Sequence, residues 1–447
     1  MLWRAPWLRA RSALLGLGVW DAACIYICYR YIAVLKLREW MGVKPGLAVI
    51  WLAWISASYL VGRYSKDEVR SQWGIGQTCA LTVIPAVTVA AIFIGHSWLY
   101  QITDAATRLR GFLVPLLIGC SATSIAGQIM VERILKRESR LLILCTKGER
   151  DVMEKELRGV NQSERTRFIS EDELQVELRN IGEKEVRIAV GERMLRDLDT
   201  IELLLSLREE GVRTITTIRW CEERLQRIPP ELIDSQWLVQ AEGFSLRPGS
   251  LNWRIKRLGD IIGAAFLLVV TSPLITVAAI LIYAEDRGPI FYAQERTGLC
   301  GQIIKIWKLR SMRTNAEESG AQWAKKNDPR ITRVGSLIRA TRIDELPQLV
   351  GVLLGELSLI GPRPERPEFE TILEQKIPHY RVRHWIRPGL SGWAQVCYPY
   401  GSSVEDSRQK LSYDLYYLRN SGMLMDALIV IKTIRLIARK SGSEPRF

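Results

Sequence analysis

The sequence predicts a membrane protein of three parts: an α-helical N-terminal bundle, a Rossmann-like α/β middle domain, and a mainly α-helical (α+β) C-terminal domain with a re-entrant membrane helix. Three observations predict it. The 447 residues are 48% hydrophobic and 25% charged, too mixed for one uniform domain, and the apolar residues are concentrated in four N-terminal runs. Short apolar runs then alternate with charged helical stretches, the pattern of a small α/β domain. A last long apolar run, Ile261 to Tyr283, is interrupted near its middle by Ser272-Pro273. The expected divisions are 1–135, 136–246 and 247–447, with the re-entrant segment at 261–283.

Composition narrows the partners. A formal charge of +14 suits nucleic acid, anionic lipid or phosphate-bearing substrates. No nucleic-acid motif with interleaved aromatics is present, so nucleic acid is set aside. The eight cysteines never form C-x-x-C, and several lie in apolar runs, so neither a disulfide framework nor a zinc site is implied. His96, His379 and His384 are too scattered along the chain to suggest a metal cluster.

The four runs are Leu14 to Leu35, Gly46 to Gly62, Gln77 to Gly95 and Gly111 to Val131. Each is about long enough for a hydrocarbon core of roughly 30 Å, the second only barely. Pro85 and Pro115 are tolerable where neighbouring helices cover the freed carbonyls. Asp21 and Arg30 are costly in lipid, and either pairing inside the bundle or snorkelling to the interface would relieve them. The arginines that precede the first run lead into it without a small-residue cleavage site, so it reads as a retained helix. Ten basic residues flank the N-terminal side of the runs and five the opposite side, which places the N-terminus and Arg140 onward in the cytoplasm.

In the middle domain, Leu141 to Cys145, Arg187 to Val190 and Val212 to Ile218 are the expected strands. The turn after the first reads Thr146-Lys-Gly-Glu-Arg150, with one glycine where a dinucleotide fold needs three. A bound NAD is not expected, and a regulatory or packing role is.

Arg247-Pro-Gly-Ser250 is a linker, and Trp253 to Arg257 combines aromatic and basic residues suited to lipid headgroups. Proline costs about 3 kcal/mol inside a regular helix, so the run through Pro273 is expected to kink or fold back. Between Arg296 and Glu345 there are eleven Lys or Arg against five Asp or Glu, clustered with glycine and small residues, which suits phosphate contacts. Near the end, Met423 to Lys440 fits either a helix at the membrane surface or one packed on the core.

Asp344 and Glu345 stand together before Pro347 and an apolar run that Gly355 can close, the pattern of a helix start with Asp344 as its cap. A cap and an acidic first turn alone would stabilise such a helix by roughly 1 to 2 kcal/mol. The flanking Arg339, Arg342 and Arg363 add a second expectation: an ionised carboxylate beside bound phosphate is a candidate nucleophile, and its neighbour a candidate Mg²⁺ ligand.

At these residues the chain resembles the bacterial sugar transferases, which move a sugar phosphate from a nucleotide sugar to a polyprenyl phosphate. The matching words are Thr341-Arg-Ile-Asp-Glu-Leu-Pro-Gln-Leu349 and Leu357-Ser-Leu-Ile-Gly-Pro-Arg-Pro-Glu365. Further matches are Lys308 to Arg313, Asn327 to Gly335, Arg387 to Val396 and Tyr413 to Asn420. The wording at Pro364 to Phe369 and Tyr398 to Asp406 resembles the exopolysaccharide and exosortase-associated branch.

The resemblance implies a phosphotransferase that starts an exopolysaccharide at the cytoplasmic face of the bacterial inner membrane, with a lipid bilayer, a UDP-sugar and undecaprenyl phosphate as partners. It implies attack by Asp344, a Glu345-held Mg²⁺, and phosphate contacts from Arg310, Arg313, Arg339, Arg363 and Arg387. A homo-oligomer is compatible with it. Direct transfer in a ternary complex, a glycosyltransferase releasing UDP, and a non-enzymatic scaffold stay open as alternatives. Since four crossings return the chain to its starting side, a cytoplasmic Asp344 requires the 261–283 segment to turn back at Ser272 and Pro273.

Overall fold

Long, mainly apolar runs form the first four helices, α1 (Ser12–Leu37), α2 (Pro45–Val61), α3 (Ile75–Leu99) and α4 (Val114–Leu135). The computed structural model describes residues 12–37, 45–61, 63–64, 75–99, 112–135, 140–158, 166–170, 173, 186–209, 212–244, 249–316, 328–398, 401 and 403–438. Ile25, Tyr29, Leu47, Trp54, Val89 and Leu116 form the shared core of these helices. Val19, Tyr31, Leu52, Val87, Ile118 and Met130 are all more than half exposed. A bundle built for water would carry polar residues at such outward positions.

Asp21 resolves by pairing. Arg63, just beyond α2, places Nη1 3.3 Å from Asp21 Oδ2, with both side chains fully buried. Ser124 Oγ and Tyr64 Oη each donate to the Asp21 carboxylate at 2.6 Å, and Arg63 also donates to Ser58, Ser124 and Gln128. Arg63, one of the ten basic residues on the N-terminal side of the runs, is therefore a core residue.

The middle elements are β1 (Arg140–Leu144), α5 (Lys147–Arg158), β2 (Thr166–Ile169), β3 (Val186–Val190), α6 (Leu198–Glu209) and β4 (Arg213–Thr216). They form one sheet in the order β2-β1-β3-β4, with β1 and β2 parallel. Leu141 to Leu144 are all buried, as an interior strand requires. At the N-terminus of α5, the Glu149 carboxylate accepts the Thr146 N–H at 3.1 Å, the Thr146 hydroxyl at 2.9 Å and the Arg193 N–H at 3.2 Å. Gly191 permits this close approach, since a Cβ there would stand 2.2 Å from Glu149 Oε2. The helix end that holds pyrophosphate in a dinucleotide-binding fold is here capped by the chain's own acid.

The chain packs as two units: Met1–Leu144 with Met153–Ala189 and Glu202–Thr214, and Cys145–Val152 with Val190–Ile201 and Ile215–Phe447. The division expected at 247 is therefore not where the packing divides. The reason lies in α7 (Thr217–Arg224), the turn Pro230–Leu232 and α8 (Ser235–Gln240), which share the second unit's core and polar contacts. Trp393 Nε1 donates to the Gln226 carbonyl at 2.9 Å, Arg408 Nε lies 2.6 Å from Glu231, and Arg419 Nη1 3.1 Å from Glu222. A fragment beginning at Ile215 should accordingly unfold at a higher temperature in detergent than one beginning at Arg247. Equal melting temperatures would show that 215–246 adds nothing.

The second unit continues with α9 (Leu251–Asp286), the antiparallel hairpin of β5 (Phe291–Thr297) and β6 (Ile303–Leu309), α10 (Arg333–Ala340) and α11 (Gln348–Leu354). Then come β7 (Ser358–Ile360), α12 (Pro367–Lys376), β8 (Gly389–Ser391), α13 (Trp393–Cys397), α14 (Val404–Asn420) and α15 (Met423–Ala438), with β7 and β8 parallel. In α15, Met425 and Ile429 are buried while Met423, Ile434 and Ile437 are exposed, so one face packs on the unit and the other does not.

A break at Ser272-Pro273 is not what forms: α9 runs through Pro273 as one 36-residue helix. Proline removes the N–H that would bond the carbonyl of Val269, and Ser272 Oγ replaces it at 2.9 Å. Thr271 and Thr276 hydroxyls bond the carbonyls of Leu267 and Ser272 in the same way. These bonds let a helix carry proline without losing acceptors. α9 is nevertheless held only toward its ends: Asp260, Ala264, Ala278 and Ile282 are its buried residues, and Phe266, Val269, Val270 and Leu274 are more than half exposed. Arg257 donates to the Leu353 carbonyl at 2.8 Å and Asp260 accepts from Ser358 at 2.8 Å, while Glu285 accepts the Arg333 N–H at 2.9 Å. Among the described helices, α9 is the one long and apolar enough to cross a membrane.

Candidate active site

Side chains on one face of β6 alternate as Ile304, Ile306 and Lys308. Ile306 packs with Leu349 and Val352 of α11, which brings the Lys308 ammonium to the start of that helix. From the other side, Thr332 caps α10 by accepting the Gly335 N–H at 2.9 Å, and α10 ends at Arg339 and Ala340. Arg342 then takes a left-handed conformation, φ 56°, and turns the chain into the 3-10 turn Ile343–Glu345. Helical bonds continue from Ile343 into α11, so Asp344 lies inside the turn and is not the cap expected for it. Gly355, at φ 92°, closes α11 as expected, by donating to the Gly351 carbonyl.

The two carboxylates fare differently. Glu345 is bonded by Arg363 and approached to 3.5 Å by both Lys308 and Arg342. Burial opposes its ionisation, but Arg363 and Lys308 outweigh it and hold Glu345 far below the usual carboxylate range. Asp344 is buried and makes no side-chain hydrogen bond among the described residues. Burial and the adjacent Glu345 charge push its pKa up to about 6, against the pull of Lys308, Arg339 and Arg363. The nearby cations alone would depress this pKa, but burial and the Glu345 charge outweigh them. Burial also pushes the Lys308 ammonium down, partly countered by Glu345.

Arg363 is aimed by the turn Gly361-Pro-Arg-Pro364. Gly361 packs directly on the backbone of Arg387 to Gly389, and a Cβ at Gly389 would stand 2.1 Å from the Gly361 nitrogen. Arg383 donates to the Arg363 carbonyl at 2.8 Å and is itself paired with buried Asp414 at 3.0 Å. Of the five arginines expected at phosphate, Arg339 and Arg363 lie by the acidic pair. Arg310 does not: it is nearly buried and bonded in two places to Asp286 at the end of α9. Arg387 stacks on Trp253 at 4.5 Å, and Arg313 is exposed. Arg342, expected as a flanking cation, contacts Glu345, whereas Lys308 and Arg383 are site residues that sequence reasoning misses. For Lys308 the period-2 alternation Ile304, Ile306, Lys308 is the available signal; for Arg383 there is none beyond charge.

Asp344 and Glu345 offer hard carboxylate oxygens, the donor class of Mg²⁺, so by donor chemistry the pair would hold such an ion, which would supply positive charge beside a bound phosphate. The arrangement as a whole is one uncommitted carboxylate facing an excess of positive charge, suited to attack on an anionic phosphorus centre.

Residues 251–440 match the family described as Bacterial sugar transferase. The chain is 46% identical over 199 residues to the UDP-N-acetylgalactosamine-undecaprenyl-phosphate N-acetylgalactosaminephosphotransferase of Aeromonas hydrophila, covering 44% of this chain and 47% of that protein. It is 39% identical over 197 residues to the UDP-glucose:undecaprenyl-phosphate glucose-1-phosphate transferase of Caulobacter vibrioides, covering 42% and 74%. An exopolysaccharide production protein of Rhizobium leguminosarum bv. phaseoli is 39% identical over 186 residues, covering 40% and 93%. The match thus spans about half the length of the Aeromonas protein and most of the other two.

Proposed function

We infer that this chain, which belongs to the bacterial sugar transferase family, transfers a sugar 1-phosphate from a UDP-sugar to undecaprenyl phosphate and releases UMP, the first step of an exopolysaccharide. The observation that carries the reading is the unpartnered Asp344 carboxylate beside Lys308, Arg339 and Arg363. An Asp344 oxygen attacks the sugar-linked phosphorus, the bond to the UMP oxygen breaks, and the phosphosugar is left on the aspartate. An oxygen of undecaprenyl phosphate then attacks the same phosphorus and frees the carboxylate. Arg339 and Arg363 hold the phosphate oxygens, and Lys308 offsets charge on the leaving group. Glu345 would hold Mg²⁺, which when bound neutralises part of the diphosphate charge.

The test is to incubate the purified protein with undecaprenyl phosphate, Mg²⁺ and a panel of UDP-sugars. UMP is expected as the released nucleotide, whereas UDP would mean transfer of the sugar alone.

The setting follows from the same reading. The outward apolar faces of α1 to α4 support four crossings of the inner membrane, with a Rossmann-like domain and the active site on the cytoplasmic side. For α9, attachment toward both ends to the same unit, with an apolar exposed middle, supports a helix that bends at Pro273 without a break in its hydrogen bonding, so that both ends stay at one face of the membrane. Half of the apolar segment 261–283, about 11 residues, rises about 17 Å, roughly the depth of one leaflet. Single cysteines at Arg254 and Arg287, in a chain without native cysteines, should both resist an impermeant thiol reagent applied to intact cells. Labelling of position 287 alone would mean a true crossing.

A further inference from the structure

Away from the acidic pair, a second set of metal-ligating side chains converges. Glu370 and Glu374 stand one turn apart on α12, so they share a face. His384, in the 3-10 turn Tyr380–Trp385, joins them, and one ligand atom from each lies within 4.8 Å of the others. Glu370 Oε1 and His384 Nε2 are 3.2 Å apart, on side chains only 8% and 10% exposed. Both atoms are shut off from solvent, yet neither makes a hydrogen bond, so the ring N–H is not aligned on the oxygen. Two polar atoms at that separation with no proton shared between them need another partner. Ligands about 2.05 Å from a tetrahedral zinc ion stand about 3.3 Å apart, which is the spacing seen.

We propose that Glu370, Glu374 and His384 bind a divalent first-row transition metal, zinc by preference, with the fourth position open to water. The imidazole nitrogen distinguishes this site from the all-oxygen acidic pair and selects against Mg²⁺. Arg381, which lies 2.9 Å from Glu374, is 81% exposed and free to swing into solvent as the ion enters. The ion ties α12 to the Tyr380–Trp385 turn. The same turn carries Arg383, whose guanidinium holds the Arg363 carbonyl. The metal therefore acts as a positioning device for the arginine that grips Glu345, and takes no part in the chemistry itself.

The full-length protein in detergent, stripped with a chelator and kept in millimolar Mg²⁺, is titrated with Co²⁺. The expected result is one equivalent bound, with the visible absorption bands of tetrahedral cobalt, displaced by Zn²⁺, and a thermal midpoint raised by Zn²⁺. Glu374→Gln, at a partly exposed position where folding is not at stake, should weaken Co²⁺ binding at least about tenfold. His384→Asn should remove the bands, and Glu345→Gln should leave them unchanged. No uptake of Co²⁺ overturns the proposal, and so does a spectrum and affinity that survive Glu374→Gln. Loss of the bands in Glu345→Gln would assign the cobalt to the acidic pair and overturn it as well.

Discussion

Asp344→Asn abolishes UMP release, by at least about a thousandfold, while the protein remains folded and inserted. The amide is nearly isosteric but is not a nucleophile, and Asp344 has no hydrogen bond among the described residues whose loss would disturb the turn. Substantial turnover by this variant would sink the covalent route and favour direct transfer. The unmodified protein should show the same dependence through pH. With Asp344 near 6, the carboxylate is ionised above that value and protonated below it, so the single-turnover rate of UMP release falls about tenfold per unit under pH 6. Omitting the lipid acceptor keeps the titration of its own phosphate out of the profile. Arg339→Met removes a charge that favours the ionised form, and the acid limb should move to higher pH.

Arg63→Met destabilises the N-terminal bundle by about 3–5 kcal/mol, because it leaves the Asp21 carboxylate buried without its counter-ion. Adding Asp21→Leu to the same chain should recover most of that loss, since an apolar replacement of both members of a buried pair is often neutral or better. Thermal or denaturant unfolding in micelles, followed through the tryptophans of α1 and α2, measures both. A double variant no more stable than Arg63→Met alone would mean that Ser58, Ser124 and Gln128 carry the cluster without the ion pair.

Features that depend on neighbouring residues were legible in the sequence. The apolar runs became helices, Gly355 ended α11 in the left-handed conformation glycine favours, and the acidic pair lies among cations as its flanking arginines implied. What was missed depends on contacts between distant residues. Asp21 and Arg63 are 42 positions apart, and nothing in either flank marks the other. Arg310 is a phosphate contact by the family resemblance, whereas in the fold it pairs with Asp286 at the end of α9. Asp344 was read as a cap because Pro347 suggested a first turn; Arg342 reverses the chain two residues earlier by adopting a conformation that sequence does not announce for arginine. The division at 215 escaped notice because Ile228 and Leu232 are buried in a segment with no distinctive composition.

The Glu149 cap has a thermodynamic consequence for the middle sheet. A ligand that binds only the folded state adds stability in proportion to the logarithm of its concentration. Here the acceptor at the head of α5 is covalently part of the chain, so its effective concentration never varies. A nucleotide phosphate would have to displace a carboxylate held by three donors. The stability of this helix start is therefore set by the chain itself and not by the concentration of a free ligand.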